Sequence, residues 1–282
     1  MAIKFTTVST KGGTGKTTLT VNFGAFLADL QQRVLIVDAD PQPTASSYFD
    51  LVHRAPAGLS TLITEGASED VISRTVIDNL DLIASDDPVG ELRDWILHDP
   101  IGRLRLKQSL SALDDLYDII LIDTQGAVGP LQDAAVVAGD LLLSPIPPEM
   151  LSASEFLRGT ISMLERLKPM MHWGAPIAPL RGIIYRQNRT VDARRIAEKL
   201  RKEFFAPTRG SVSILETCVP STAAYTEAAT HGLPVHRWEP TRRGPTPSGA
   251  DTMLSLVHEL LPHLADAQLP NNNVIEQRRN GV

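Results

Sequence analysis

The chain has 282 residues, 43% of them hydrophobic, a mean hydropathy of −0.04 and a single cysteine, Cys218. That length fits one large α/β domain or two small ones. One cysteine excludes an internal disulfide framework and a cysteine-rich metal site, and no apolar stretch approaches the ~18 residues of a membrane span. The net charge of −6 argues mildly against nucleic acid but is uneven: residues 1–180 hold 13 Lys and Arg against 23 Asp and Glu, and residues 181–282 hold 14 against 10, a hint of a local polyanion-binding surface.

The start, MAIKF, runs straight into a strand pattern with no signal-peptide region, so a cytoplasmic protein is expected. Apolar runs predict strands at 3–8 (IKFTTV), 33–38 (RVLIVD), 80–84 (LDLIA), 117–123 (YDIILID), 140–146 (DLLLSPI), 180–185 (LRGIIY) and 213–219 (SILETCV). Several are short and almost wholly apolar, as strands covered on both faces are. Between them, Leu19, Phe23, Phe26, Leu27 and Leu30 fall on one stripe of a helix, and Ala193, Ile196, Ala197, Leu200 and Phe204 on another. Strands alternating with helices predict an α/β fold, a doubly wound, mostly parallel sheet with helices on both faces. There is no internal repeat and no clear linker. Residues 240–249 (PTRRGPTPSG) read as an ordered loop before a last helix near 250–264. The expected division is a single domain over 1–265 and a disordered tail over 266–282.

The first strand leads into STKGGTGKTT, residues 9–18. The strict phosphate-loop pattern G-x-x-x-x-G-K-[ST] fails, because Thr10 stands where its first glycine belongs. The physical requirements are still met. Glycines turn backbone N–H groups inward around an anion, and a helix N-terminus follows. Lys16 is placed to reach β- and γ-phosphates and Thr17 to ligate Mg²⁺. At the end of the second strand, RVLIVDADPQ (33–42) puts Asp38 and Asp40 where ligands bind in parallel sheets. In YDIILIDTQG (117–126), four apolar residues lead to Asp123, a Walker B pattern that would hold Mg²⁺. Asp123 to Gly126 also match D-x-x-G of GTPases, but no N-K-x-D tetrapeptide for guanine is present, which favours ATP.

Residues 11–18 resemble the deviant Walker A motif, K-G-G-x-G-K-[ST], of the ParA/MinD family of P-loop ATPases. The resemblance extends through Asp38–Gln42, 141–156 and 219–245. It implies a P-loop NTPase that binds ATP and Mg²⁺ through Lys11, Gly12, Gly13, Thr14, Gly15, Lys16, Thr17 and Thr18. It also implies a homodimer in which Lys11 reaches the phosphates of the other subunit, so that hydrolysis is slow and conditional on association. By the same match Asp40 positions the attacking water and Asp38 acts near the metal with Thr17 and Asp123. Two departures stand out. Thr124-Gln125 replaces the usual D-x-P-P continuation, and Pro220 to Ala224 lack the two arginines of the family's P-R-N-V-R.

Basic residues concentrate in 181–209, nine Lys and Arg against three acids. Arg195, Lys199 and Lys202 share a face of the helix expected near 189–204, with Arg194 and Arg201 alongside. Arg186, Arg189, Arg237, Arg242 and Arg243 extend the candidate patch. Such a face binds phosphates without reading sequence. The resemblance to partition ATPases makes non-specific DNA the expected partner of the ATP dimer, a ParB-like protein its stimulator, and the nucleoid its location when ATP is bound. The alternatives are a metabolic enzyme on the same loop, such as a carboxylate-activating ligase, an ATPase that positions a protein cargo, and a MinD-like membrane switch. The last fits poorly with the ending NNNVIEQRRNGV, which has too few apolar residues for stable membrane binding.

Overall fold

A computed structural model describes residues 1–149, 156–188, 190–205, 210–267 and 269. Arg189, residues 150–155 of the stretch 141–156 and all but three residues of the expected tail lie outside the described residues.

Among the described residues nine strands form one sheet: β1 (Ile3–Thr7), β2 (Val34–Ala39), β3 (Leu51–His53), β4 (Ser73–Thr75), β5 (Leu80–Ile83), β6 (Ile119–Thr124), β7 (Leu141–Ile146), β8 (Leu180–Gln187) and β9 (Val212–Pro220). Their order is β3-β4-β5-β2-β6-β1-β7-β8-β9. All pairings are parallel except β3–β4 and β4–β5. The seven expected strands are present, each within two residues of its expected ends. The two additional ones are three-residue strands at one end of the sheet, with β3 outermost and β4 between β3 and β5.

Helices cover both faces. One apolar layer joins the sheet to α1 (Lys16–Asp29), α8 (Ala224–Thr230), α9 (Val235–Trp238) and α10 (Gly249–Leu260). The opposite layer packs α2 (Leu59–Thr64), α3 (Glu91–His98), α4 (Gly102–Ser111) and α5 (Pro130–Ala138) on β2, β5 and β6. A third cluster seats α6 (Ile161–Leu167) and α7 (Val191–Phe205) against β7, β8 and β9. Helix α7 buries Ala193, Ile196, Ala197 and Leu200, as its stripe predicts. Helix α1 differs: nearly every residue is buried, not one stripe, because it lies between the sheet and the C-terminal helices. The last helix begins one residue before its expected start. Its N-terminus is closed by a capping box in which Ser248 and Asp251 take each other's backbone N–H groups.

Candidate nucleotide site

Strand β1 lies between β6 and β7; the chain runs from β1 to β2 on one side and from β6 across β1 to β7 on the other, so the direction of winding reverses here. Ligands bind at such a switch point, outside the carboxyl ends of the strands. Residues 8–15 fill it. Gly15 has φ +100°, a conformation that L side chains rarely adopt, and a Cβ there would run into the ring of Tyr185. Glycine at 15 is therefore required twice, by the backbone turn and by the aromatic wall. Two other glycines give the loop space from outside. A Cβ on Gly126 would lie 2.5 Å from Gly12 Cα, and one on Gly159 would overlap the Thr10 hydroxyl. Thr10, the residue that breaks the strict motif, is thus accommodated by Gly159 in the π-helical turn Phe156–Thr160.

The two lysines differ in environment. Lys16 is 6% exposed, and its ammonium Nζ lies 3.5 Å from the Lys11 carbonyl. Burial lowers its pKa, and Asp123 and Asp40 partly restore it. Lys11, Gly12 and Gly13 are exposed at the rim.

Parallel register places Asp38 of β2 directly beside Asp123 of β6, with Thr7 of β1 on the other side of Asp123. Both carboxylates are fully buried. Thr17 Oγ1 donates to Asp123 Oδ2 at 2.6 Å, and Thr20 Oγ1 lies 3.3 Å from Oδ1. Asp38 Oδ2 accepts from both the N–H and the hydroxyl of Ser46 at 2.7 Å, while its Oδ1 is buried without a partner. Burial pushes Asp123 up to about 7, against the Thr17 hydrogen bond, and Asp38 up to about 6, against the Ser46 hydrogen bonds. Two dry carboxylates in register, one with an orphaned oxygen, form an environment that a divalent cation would relieve. Among the described residues no group of three or more His, Cys, Asp or Glu is arranged to hold a metal. Asp40, just past β2, is half-exposed. Its Oδ1 caps the Gln42 N–H at 2.9 Å, and its carbonyl accepts from Ser85 Oγ at 2.6 Å.

On the other side of the loop, a cavity of about 300 Å³ opens beside Thr18, walled by Tyr185, Arg186, Tyr225 and Thr222. It shares Pro220 and Ser221 with a second, of about 410 Å³, bounded by Gln187, Asn188, Arg194 and the proline-rich loop at Pro245–Pro247. Thr222 Oγ1 and Tyr225 Oη are buried with no partner. A larger cavity, about 540 Å³, lies at the opposite edge where β8 and β9 begin, far from these carboxylates, so size alone does not locate the site.

The expected DNA-binding residues divide. Arg194, Arg195, Lys199 and Lys202 are exposed on α7. Arg186 stands at the Thr18 cavity, its guanidinium 5.8 Å from the centre of the Tyr185 ring. Arg242 donates to the carbonyls of Gly244 and Pro245, shaping its own loop, and Arg243 is exposed nearby. Arg237 is turned inward and binds Asp29 through two hydrogen bonds of 2.7 and 2.6 Å, leaving its side chain 14% exposed. It belongs to the packing of α9 on α1 and leaves the candidate patch. Sequence reasoning did not find Ser46, Thr20, Tyr185 or Gln132 in the site. Gly126 alone had a signal, the D-x-x-G match.

The fold and the loop define a P-loop ATPase that binds ATP with Mg²⁺. The family described as an AAA domain matches residues 3–172, and the chain belongs to the ParA/MinD family of these ATPases. It is 28% identical over 258 residues to the sporulation initiation inhibitor protein Soj of Bacillus subtilis, covering 89% of this chain and 94% of the relative. It is 30% identical over 264 residues to a ParA family protein of Chlamydia pneumoniae, covering 92% and 97%. Among solved structures, an ATP complex of McdA from Cyanothece superposes with a TM-score of 0.77 at 21% identity, over 96% of this chain and 99% of that one. MinD of Pyrococcus horikoshii with Mg-ADP superposes with 0.70 at 22%, over 95% and 99%. At these identities the two structures support the fold.

Proposed function

We propose that this chain is a ParA-type partition ATPase, with residues 1–265 acting as one ATPase domain. In this reading an ATP-bound dimer binds DNA without sequence preference, and a ParB-like partner stimulates turnover and releases it. The observation that carries the reading is the contrast between two lysines five residues apart. Lys16 is buried inside its own loop, and Lys11 is exposed at the rim. A cation at the rim can serve a neighbouring subunit's phosphates, which makes hydrolysis depend on dimerisation.

The residue roles follow. Lys16 and the loop amides hold the β- and γ-phosphates. Thr17 and Asp123 hold Mg²⁺, which supplies positive charge to the phosphate oxygens. Asp38, fixed by Ser46, sets the charge beside Asp123, and Asp40 at the half-exposed edge orients the attacking water. The cavities at Thr18 and Pro220 are sized for the nucleoside. The outer face of α7, with Arg195, Lys199 and Lys202, carries the phosphate-binding surface.

Fluorescence anisotropy with arbitrary duplexes, in ATP and in ADP, tests this directly. ATP-loaded protein should bind every duplex, with a log–log salt slope of roughly 0.9 per phosphate contacted. ADP-loaded protein should not bind. Arg195→Glu with Lys199→Glu should lose most of this binding and keep ATP turnover. If ATP-loaded protein ignores DNA at low salt, the partition reading fails and a protein cargo becomes the better assignment.

A further inference from the structure

Residues 125 and 126 depart from the D-x-P-P continuation, and the structure shows what stands in its place. Gln132, in the first turn of α5, is 0% exposed. Its Nε2 donates to the Ser9 carbonyl at 3.1 Å and to the Gln125 carbonyl at 3.3 Å. The first opens the phosphate loop and the second follows the Walker B strand, so one carboxamide spans the two segments that meet at the reacting end of the site. Two carbonyls facing the same atom fix the orientation of the amide, because a flipped Oε1 would oppose both. That Oε1 is itself buried with no partner. A protein that leaves such an acceptor unsatisfied has retained the residue for something other than packing.

The Gln125–Gly126 peptide is held from three directions. Gly126 rests on Gly12, where a Cβ would come 2.5 Å from Gly12 Cα. Thr124 Oγ1 donates to the Thr7 carbonyl at 2.7 Å, and Gln132 takes the Gln125 carbonyl. Gly126 follows Asp123 by three residues, and Gly12 belongs to the phosphate loop, so their contact joins the segment that carries the buried carboxylate to the loop itself.

We propose that Gln132 is a positioning residue for ATP hydrolysis, whose carboxamide ties Ser9 to Gln125 and so sets the Gln125–Gly126 peptide against the loop as the element that distinguishes a terminal phosphate from its absence. The proposal rests on the ATPase assignment and concerns discrimination of ATP from ADP, which a merely structural glutamine would not control.

Gln132→Met keeps length and volume and removes the donor. Calorimetric titration should show ADP affinity within about twofold of wild type, ATP affinity lower by roughly tenfold, and kcat reduced to a similar degree, as loss of hydrogen bonding at a positioned loop predicts. In the nucleotide-free protein, hydrogen exchange over residues 125–129 should accelerate. Equal weakening of both nucleotides, or an unchanged ATP-to-ADP ratio, would overturn the proposal. Should that variant not fold, Gly126→Ala probes the same contact from the other side. It should lose the preference for ATP while still binding ADP, and a wild-type preference overturns the proposal. If the wild-type chain binds neither nucleotide, the ATPase assignment falls, and this inference with it.

Discussion

Lys11 and Lys16 make opposite predictions because their surroundings differ. Lys16 is enclosed by its own loop and by the charges of Asp123 and Asp40, so its removal leaves buried carboxylates without their cation as well as phosphates without theirs. Lys16→Ala should abolish nucleotide binding. Lys11→Ala leaves the glycine backbone and Lys16 in place, so it should bind ATP nearly as wild type does. Its turnover should fall by two orders of magnitude or more, as expected for a charge supplied only to the transition state (~10²–10³). Equilibrium binding of a labelled ATP analogue, measured beside single-turnover hydrolysis, separates the two. A Lys11→Ala protein with normal turnover would remove the role in trans.

At the scale of elements, β9 shows how an irregular strand is completed by its neighbours. Gly182 of β8 pairs with Ile214 and Ile184 with Cys218, so β9 bulges between those residues. The backbone groups released there are taken by side chains. The Glu259 carboxylate accepts the N–H groups of Glu216 and Thr217 at 2.8 and 2.9 Å, and the Arg201 guanidinium donates to the carbonyls of Leu215 and Glu216 at 3.0 and 2.9 Å. Arg201 shares α7 with the basic face but points inward. Arg201→Met should lower stability by about 1 kcal/mol, since only the Leu215 end of this pair of charged hydrogen bonds is buried, and leave ATP turnover unchanged. An unaltered urea midpoint would show that the bulge closes without it. Much of this level was legible in the sequence. Strands buried on both faces announce themselves as apolar runs, and the phosphate loop, Asp38 and Asp123 are local patterns. Strands β3 and β4 were not legible, since SRT and LVH are three residues long, antiparallel and exposed in alternate or successive positions. Ser46, Tyr185 and Gln132 were not legible either, because what brings each to the site is sheet register or helix docking rather than spacing.

At the scale of the whole molecule, one buried cluster that joins the first helix to the C-terminal ones contributes a pH-dependent part of the stability. Burial alone would raise the Asp29 carboxyl, but hydrogen bonds from Arg237 and His236 outweigh it and hold the pKa at about 2, against an ordinary 3.8. His236 Nε2 lies 2.8 Å from Asp29, and Nδ1 has no partner, so a second proton would be a buried unpaired donor. Burial accordingly lowers its pKa below the ordinary 6.5. Both folded-state values lie below the unfolded ones, so in both cases the unfolded chain takes up protons first as the pH falls. The cluster's own contribution should be complete above pH 7, begin to drop as pH passes 6.5, and lose about 2 kcal/mol more between the ordinary carboxyl value and the depressed one. Asp38 and Asp123, whose folded values are raised, act in the opposite sense between about pH 7 and the ordinary carboxyl value, so the cluster is read as the difference between wild type and Asp29→Asn. Chemical denaturation of both proteins between pH 7.5 and 2 would show this. In Asp29→Asn the lower loss should disappear, and a wild-type profile in that variant would place the acid sensitivity elsewhere. The space around the phosphate loop has a consequence of another kind. Thr10 occupies room released by Gly159, Gly12 meets Gly126, and Gly15 lies under Tyr185, so the shape of a ten-residue motif is partly encoded far away in the chain. The motif is therefore not a portable cassette. Moved alone into another nucleotide-binding sheet, it would keep this shape only where small residues stand in the places of Gly126 and Gly159.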